Sequence, residues 1–325
     1  MNAQRRSGTV ITVLVGSLVV LGACGGTAPS ADTGTAAQKD IDPGGRLGQG
    51  MAFDFGSLWI ALGDKGLVAR VDPATGKITN ELMVSDLSRI PARAHVDHAA
   101  PSAVASAFGS IWATGADGVL ARIDPVTNDI TRFDVGIVGG YLCAGEGALW
   151  ITSYDDGALV RFDPAAGVVT MTLHDLGGLH GVAVGFGSVW VVNKSGHEVL
   201  RIDPDNGMVK SRIPTARNPD FVTVGAGSVW VTRESPRAVL RINPSSDAVT
   251  ATIPAEAGWG SGVGIAFYDG AIWTGFLVRI DPATEKLSAS FASRGGDQGG
   301  LVFGAGSAWV ADFGELHQIP LALVR

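Results

Sequence analysis

LHGV at residues 179–182 places a lone imidazole, His180, in the middle of a glycine-rich apolar run. Histidine titrates closest to neutrality, so it is the first candidate for a general base, given a substrate proton within hydrogen-bond reach. A second cluster is HVDH, where His95 and His98 stand three apart with Asp97 between them. Imidazole and carboxylate groups brought to one side of a turn could hold a divalent cation. A third, scattered set comprises Gln49, Asp155, Asn193, His197, Asp220, Arg233 and Glu234. These supply donors, acceptors and charge for a ligand, but only if the fold makes them converge.

An internal repeat says how they are positioned. Tryptophans stand at 59, 112, 150, 190, 230, 273 and 309, at spacings of 53, 38, 40, 40, 43 and 36. Each follows a glycine by three residues: Gly56, Gly109, Gly147, Gly187, Gly227, Gly270 and Gly306. Six copies run on into Arg, an apolar residue, Asp or Asn, and Pro, beginning at Arg70, Arg122, Arg161, Arg201, Arg241 and Arg279. In the copy around Trp190, four short apolar stretches read as strands near 181–185, 187–192, 198–203 and 208–213. Glycine in the first hairpin supplies a positive φ, and DPDNG has the chemistry of a tight turn. A four-stranded antiparallel sheet every ~40 residues predicts a propeller blade. The expected fold is all-β, a seven-bladed β-propeller over residues 47–325.

The inner-strand residue seven before each Trp is small or modest: Ala52, Ala105, Cys143, Ala183, Thr223, Ala266 and Val302. Cys143 therefore reads as a buried packing residue rather than a nucleophile. The last copy degrades to ELHQIP at 315–320, so residues 39–42 are expected to complete its sheet.

In such a fold, loops entering the inner strands and loops joining second to third strands emerge on one face. His95, Asp97, His98, His174, His180 and Asp220 belong in or beside the first kind, and Asp155, Asp156, His197, Arg233 and Glu234 in the second. Gln49 takes in blade 1 the place that His180 takes in blade 4. Five of six histidines thus gather at one end, and only His317 falls on a strand. That end is the expected binding face for a small molecule, a peptide or an envelope protein, with the chain as a monomer. Binding is expected ahead of catalysis.

Residues 1–23 carry Arg5 and Arg6, then an apolar stretch at 10–21, then small residues before Cys24. This is the pattern of a secretory signal. The LGAC ending resembles a bacterial lipobox, which implies acylation of Cys24 and a membrane-anchored, extracytoplasmic protein. Residues 24–46 read as a flexible tether. An acylated Cys24 leaves Cys143 without a disulfide partner. Removing the leader's two arginines from 24 basic residues leaves 22 against 31 acidic, a net charge of −9. That balance excludes nucleic acid as a partner.

The repeat G-x-[LIV]-W … [LV]-x-R-[IVF]-D-P-x-T-G resembles those of streptogramin (virginiamycin B) lyase-like propellers and of YncE/NHL-type propellers. The resemblance spans about residues 47–325. It implies, as an alternative to binding, a lyase that opens a cyclic depsipeptide by elimination with a histidine base beside Mg²⁺. His180, ten residues before Trp190, matches the position of that base. Those lyases carry Glu three residues after Trp, where this chain has Leu62, Gly115, Ser153, Asn193, Arg233, Phe276 and Asp312. Mg²⁺ is therefore expected only under the lyase alternative.

Overall fold

The computed structural model describes residues 37–92, 94, 103–254, 264–275, 277–288, 298–312 and 314–324. Seven antiparallel four-stranded sheets follow one another along the chain as the blades of a propeller. Blade 4 is representative: Leu179–Gly185 is innermost, followed by Ser188–Asn193, Glu198–Ile202 and Val209–Pro214. Blade 7 takes three strands from the C-terminal end, Gln298–Gly304, Ser307–Asp312 and Leu316–Pro320, and its outermost strand, Lys39–Ile41, from the N-terminal side. The register is Lys39 to Gln318, Asp40 to His317 and Ile41 to Leu316. The expected closing strand is thus present, and it joins the two ends of the ring. No described helix is long and apolar enough to cross a membrane.

The repeat residues each have a physical task. Each of the seven repeat tryptophans is buried, and its indole N–H donates to the carbonyl five residues earlier, as Trp190 does to Gly185 at 3.0 Å and Trp309 to Gly304 at 3.2 Å. The small inner-strand residue is the tryptophan's cross-strand partner, as in Ala183 to Trp190 and Cys143 to Trp150. Directly opposed residues share a face of the sheet, so the small residue makes room for the indole. Each indole packs on the next blade: Trp190 clusters with Val222, Val229 and Val231 of blade 5.

The arginine of the RxDP segment lies over that tryptophan, its guanidinium carbon 4.9–5.9 Å from the ring centre in five blades. Its Nε donates to the serine two residues before Trp: Arg70 to Ser57, Arg122 to Ser110, Arg201 to Ser188 and Arg241 to Ser228, at 2.8–2.9 Å. A second guanidinium nitrogen reaches the proline carbonyl of the following blade, from Arg70 to Pro125, Arg201 to Pro244 and Arg241 to Pro282. Gln318 replaces the arginine in blade 7 and donates to Pro73 of blade 1 at 3.0 Å, carrying the same link across the closure. In the DP turns, backbone N–H groups donate to the Asp side chains and hold the carboxyls of Asp72, Asp124, Asp163 and Asp281 below their usual pKa.

Blade 3 breaks the pattern. Ala148 replaces the serine, and the Nε of Arg161 is buried without an acceptor. Ala148→Ser is expected to stabilise the protein by about 1 kcal/mol, the net value of one hydrogen bond formed by an otherwise unsatisfied donor. A thermal melt that does not rise would show the Oγ failing to reach Arg161.

The first hairpin of each blade turns through two residues, both at positive φ: Phe55–Gly56, Phe108–Gly109, Glu146–Gly147, Phe186–Gly187, Ala226–Gly227, Asp269–Gly270 and Ala305–Gly306. That is the geometry whose twist matches antiparallel strands. The glycine is the expected one, whereas the left-handed conformation of the residue before it carries no sequence signal here.

Candidate functional site

His180 and Asp220 occupy the same position in neighbouring blades, each ten residues before its tryptophan. Neither lies on a loop. Leu179–Gly185 and Arg217–Gly225 begin earlier than their apolar cores suggest, and both pairings shift register at this point, between Leu179 and Val182 and between Pro219 and Val222. Such a bulge re-aims a side chain that regular pleating would send elsewhere. The expectation of a loop histidine is corrected: His180 is a strand residue and is 3% exposed.

The two side chains meet. His180 Nδ1 is 2.6 Å from Asp220 Oδ1, and its Nε2 is 3.2 Å from the hydroxyl of Tyr141. Lys194 Nζ lies 3.0 Å from the same Asp220 oxygen and 3.0 Å from Glu234 Oε1. A chain of polar contacts therefore runs Tyr141, His180, Asp220, Lys194, Glu234 across blades 3, 4 and 5. Aromatic rings pack around the imidazole: Tyr141 at 4.4 Å, Phe221 at 5.7 Å and Tyr154 at 6.5 Å between centroids. Thr152 Oγ1 donates to the His180 carbonyl at 2.8 Å and holds the strand in place.

Electrostatics follow from this burial. Burial alone would raise the Asp220 carboxyl, but His180 and then Lys194 outweigh it and bring its pKa down to about 2. Burial likewise opposes the Lys194 ammonium, and Asp220 and Glu234 overcome it, so its pKa is raised. The Tyr141 phenol is pushed well above its usual value by burial and then by the charges of Asp220 and Glu234. At neutral pH Tyr141 is thus a proton-bearing donor. An ionised Asp220 only accepts, so His180 Nδ1 bears a proton. The remaining Asp220 oxygen, Oδ2, is buried without a hydrogen-bond partner.

Other candidates take different parts. Glu234 joins the cluster through Lys194. Asn193 braces its own loop, accepting from Gly196 N–H at 2.9 Å and Ser195 at 3.1 Å and donating to Glu198 at 2.9 Å. His197 is exposed at φ 57°, and its Nδ1 accepts from the N–H of Asn218 at 3.3 Å. Arg233 donates to the carbonyls of Pro236 at 2.8 Å and Thr215 at 3.2 Å. These three shape the loops around the cluster rather than entering it. Asp155 is half-buried in the turn between the second and third strands of blade 3. Gln49, His95, Asp97, His98 and Cys24 lie outside the residues whose side chains are described. Cys143 is buried, and burial pushes its thiol up to about 12, which leaves no thiolate for chemistry.

Lys194, Tyr141, Tyr154 and Phe221 complete the site without any motif of their own. Their signal is positional: Tyr154, Lys194 and Glu234 each stand four residues after a tryptophan, and Tyr141 and Phe221 nine before one. Equal offsets in adjacent blades lie side by side around the ring, so comparing repeats column by column exposes them.

The Mg²⁺ implied by the lyase resemblance does not fit these groups. Mg²⁺ wants a near-octahedral shell of oxygens. Here Asp220 Oδ1 and Glu234 Oε1 are joined through the Lys194 ammonium, and the same Asp220 oxygen also faces His180. The lysine supplies the cation between the two carboxylates. No protein-family model matches the chain, and no curated protein matches it.

Proposed function

We propose that the chain is a binding propeller whose Tyr141–His180–Asp220–Lys194–Glu234 face takes a small ligand or a peptide. It works outside the cytoplasm, held at the membrane by a lipid on Cys24. The observation that carries the binding reading is the buried, doubly paired carboxylate of Asp220. Desolvating charges costs several kcal/mol per ion, and an apolar pair would pack blades 4 and 5 at lower cost. Groups maintained at that cost in one sector of a ring, beside aromatic faces, favour a ligand site over a packing role. The tether reading rests on the leader sequence alone.

The test is a thermal-shift screen of short peptides and cyclic depsipeptides, with each hit titrated against Lys194→Met and Glu234→Gln. Loss of affinity by about tenfold or more, roughly 1.4 kcal/mol, with the fold intact supports the reading. Hits that bind both variants as tightly as the parent chain overturn it. Capture of an envelope protein by the parent chain and equally by both variants points instead to a scaffold acting through other surfaces.

A second reading is favoured by one contact, the 2.6 Å approach of Asp220 to His180 Nδ1. That contact leaves Nε2 as the nitrogen able to accept a proton once a substrate displaces the Tyr141 hydroxyl. The reaction would be an elimination in which the proton passes to His180, the ester C–O bond breaks and no water is added. The product keeps the mass of the cyclic depsipeptide, so retention time and fragmentation must detect it. Ring opening abolished by His180→Ala supports catalysis; an intact ring after incubation with the parent protein removes it.

A further inference from the structure

The face opposite the polar cluster carries the exposed apolar side chains. In each blade the hairpin between first and second strands and the turn after the third strand emerge there. In blade 4 these are Phe186 with Gly187 and residues 203–208, while His180 and Lys194 lie at the other end. Of the ten large apolar side chains exposed among the described residues, all but Met83 and Leu87 lie at the hairpin end of the blades. Single exposed apolar side chains are ordinary on a protein surface, but their segregation to one face is not. Phe55, Phe108 and Phe186 are 40%, 48% and 46% exposed, and they take the first turn position at φ 51°, 52° and 55°. Asn, Asp and Gly are the residues that favour this left-handed geometry. Ala226 and Ala305 make the same turn, so the hairpin does not require phenylalanine. A methyl group on Gly56, Gly109 or Gly187 would touch nothing within 4 Å, so all three tips stand clear of neighbouring blades.

The chain joins the propeller from this same face. Third strands run towards the hairpin end, and Lys39–Ile41 is antiparallel to the third strand of blade 7, with Lys39 opposite Gln318. The closing strand therefore starts at the apolar end. From these two observations we infer that the hairpin face docks on a lipid bilayer, with Phe55, Phe108 and Phe186 seated at the boundary of headgroups and acyl chains. The inference rests on the lipid tether proposed above. Cys24 stands 15 residues before Lys39 (39 − 24). An unstructured linker of that length averages roughly 21 Å from end to end, so its lipid is delivered to the side on which the closing strand starts. A bilayer also fits the spacing of the tips. Glu146 of blade 3 stands between Phe108 of blade 2 and Phe186 of blade 4, and Val126 and Met208 project separately from outer turns. A protein interface has an apolar core of adjoining residues, whereas a fluid surface accepts separated side chains one by one. With Glu146 and Asp269 at tips and a net charge of −7, apolar insertion and not attraction to anionic headgroups supplies the contact. The Tyr141–His180–Asp220–Lys194–Glu234 face is then turned to solvent. His180 precedes Phe186 by 6 residues (186 − 180) along one inner strand and its hairpin, roughly 20 Å.

The experiment uses the full chain, expressed with its leader in a bacterial host and reconstituted into phosphatidylcholine vesicles that carry nitroxide-labelled acyl chains. An environment-sensitive fluorophore is attached at Phe108→Cys or, on the opposite face, at the exposed His174→Cys; the native Cys143 is buried and does not compete. Quenching at 108 is expected to exceed that at 174 about fivefold or more, because roughly 20 Å of propeller separates them. Equal quenching, or stronger quenching at 174, overturns the inference. A dye at 108 brings apolar surface of its own, so a label at Ala226→Cys provides the second arm. Phe55→Ser, Phe108→Ser and Phe186→Ser together should reduce its quenching severalfold at an unchanged melting temperature, and unchanged quenching also overturns the inference. Mass spectrometry of Cys24 tests the tether separately. A lipid-bearing chain whose labels are quenched equally keeps the tether and loses the docking face. A chain without lipid that still floats with vesicles, and is released by the three serine substitutions, loses the tether and keeps the face. A chain without lipid that does not float removes both.

Discussion

Asp220→Ala is expected to lower the unfolding free energy by about 3–5 kcal/mol, the cost of removing one partner from a buried ion pair. The carboxylate is buried and receives both His180 Nδ1 at 2.6 Å and Lys194 Nζ at 3.0 Å. Lys194 keeps Glu234, but the buried imidazole loses the acceptor of its Nδ1 proton. The pH dependence gives the loss a signature. The folded-state pKa of Asp220 is depressed, to about 2 from an ordinary 3.8. Its contribution, roughly 2–3 kcal/mol, is therefore complete above the unfolded pKa near 4 and is lost as pH falls towards 2. Urea denaturation of the parent chain and the variant should show a wide gap at pH 7 that narrows between about pH 4 and pH 2. A gap independent of pH would mean that volume, not charge, makes Asp220 matter.

Trp190→Ala should cost about as much, roughly 3–5 kcal/mol, for a different reason. The indole is fully buried beside Ala183, under the Arg201 guanidinium at 5.2 Å, and against Val222, Val229 and Val231 of the next blade. Truncation opens a cavity at a blade interface that the surrounding sheets are too rigid to fill. It also strips the Gly185 carbonyl of its 3.0 Å indole donor. Trp190→Phe separates the two effects, since it keeps most of the volume and loses the hydrogen bond, at about 1 kcal/mol or somewhat more. The loss should not narrow between about pH 4 and pH 2, in contrast to that of Asp220→Ala. A change under about 1 kcal/mol for the alanine variant would contradict the inter-blade packing described here.

The contrast between these positions shows what is readable along the chain. Trp190 recurs seven times as a residue type at a fixed offset from glycine, because every blade must solve the same packing problem. The arginine, the DP turn and the small residue opposite the indole recur for the same reason, and so does the need for a closing strand when the final copy runs out. Repetition makes structural residues conspicuous. It hides functional ones, which are departures from the repeat and differ from blade to blade. His180 is conspicuous only as an isolated exception, and Lys194 and Tyr141 not at all.

By itself, then, the amino-acid sequence determined the seven blades, their strand number, the tryptophan layer and the closure of the ring, since local turn chemistry and two-residue periodicity act within each unit. Only the tertiary structure decided which polar groups meet. The bulges at His180 and Asp220 turn both side chains into contact, and the rotation between blades carries Lys194 to Asp220 and Glu234. Such meetings depend on angles between sheets, which no short stretch of sequence contains.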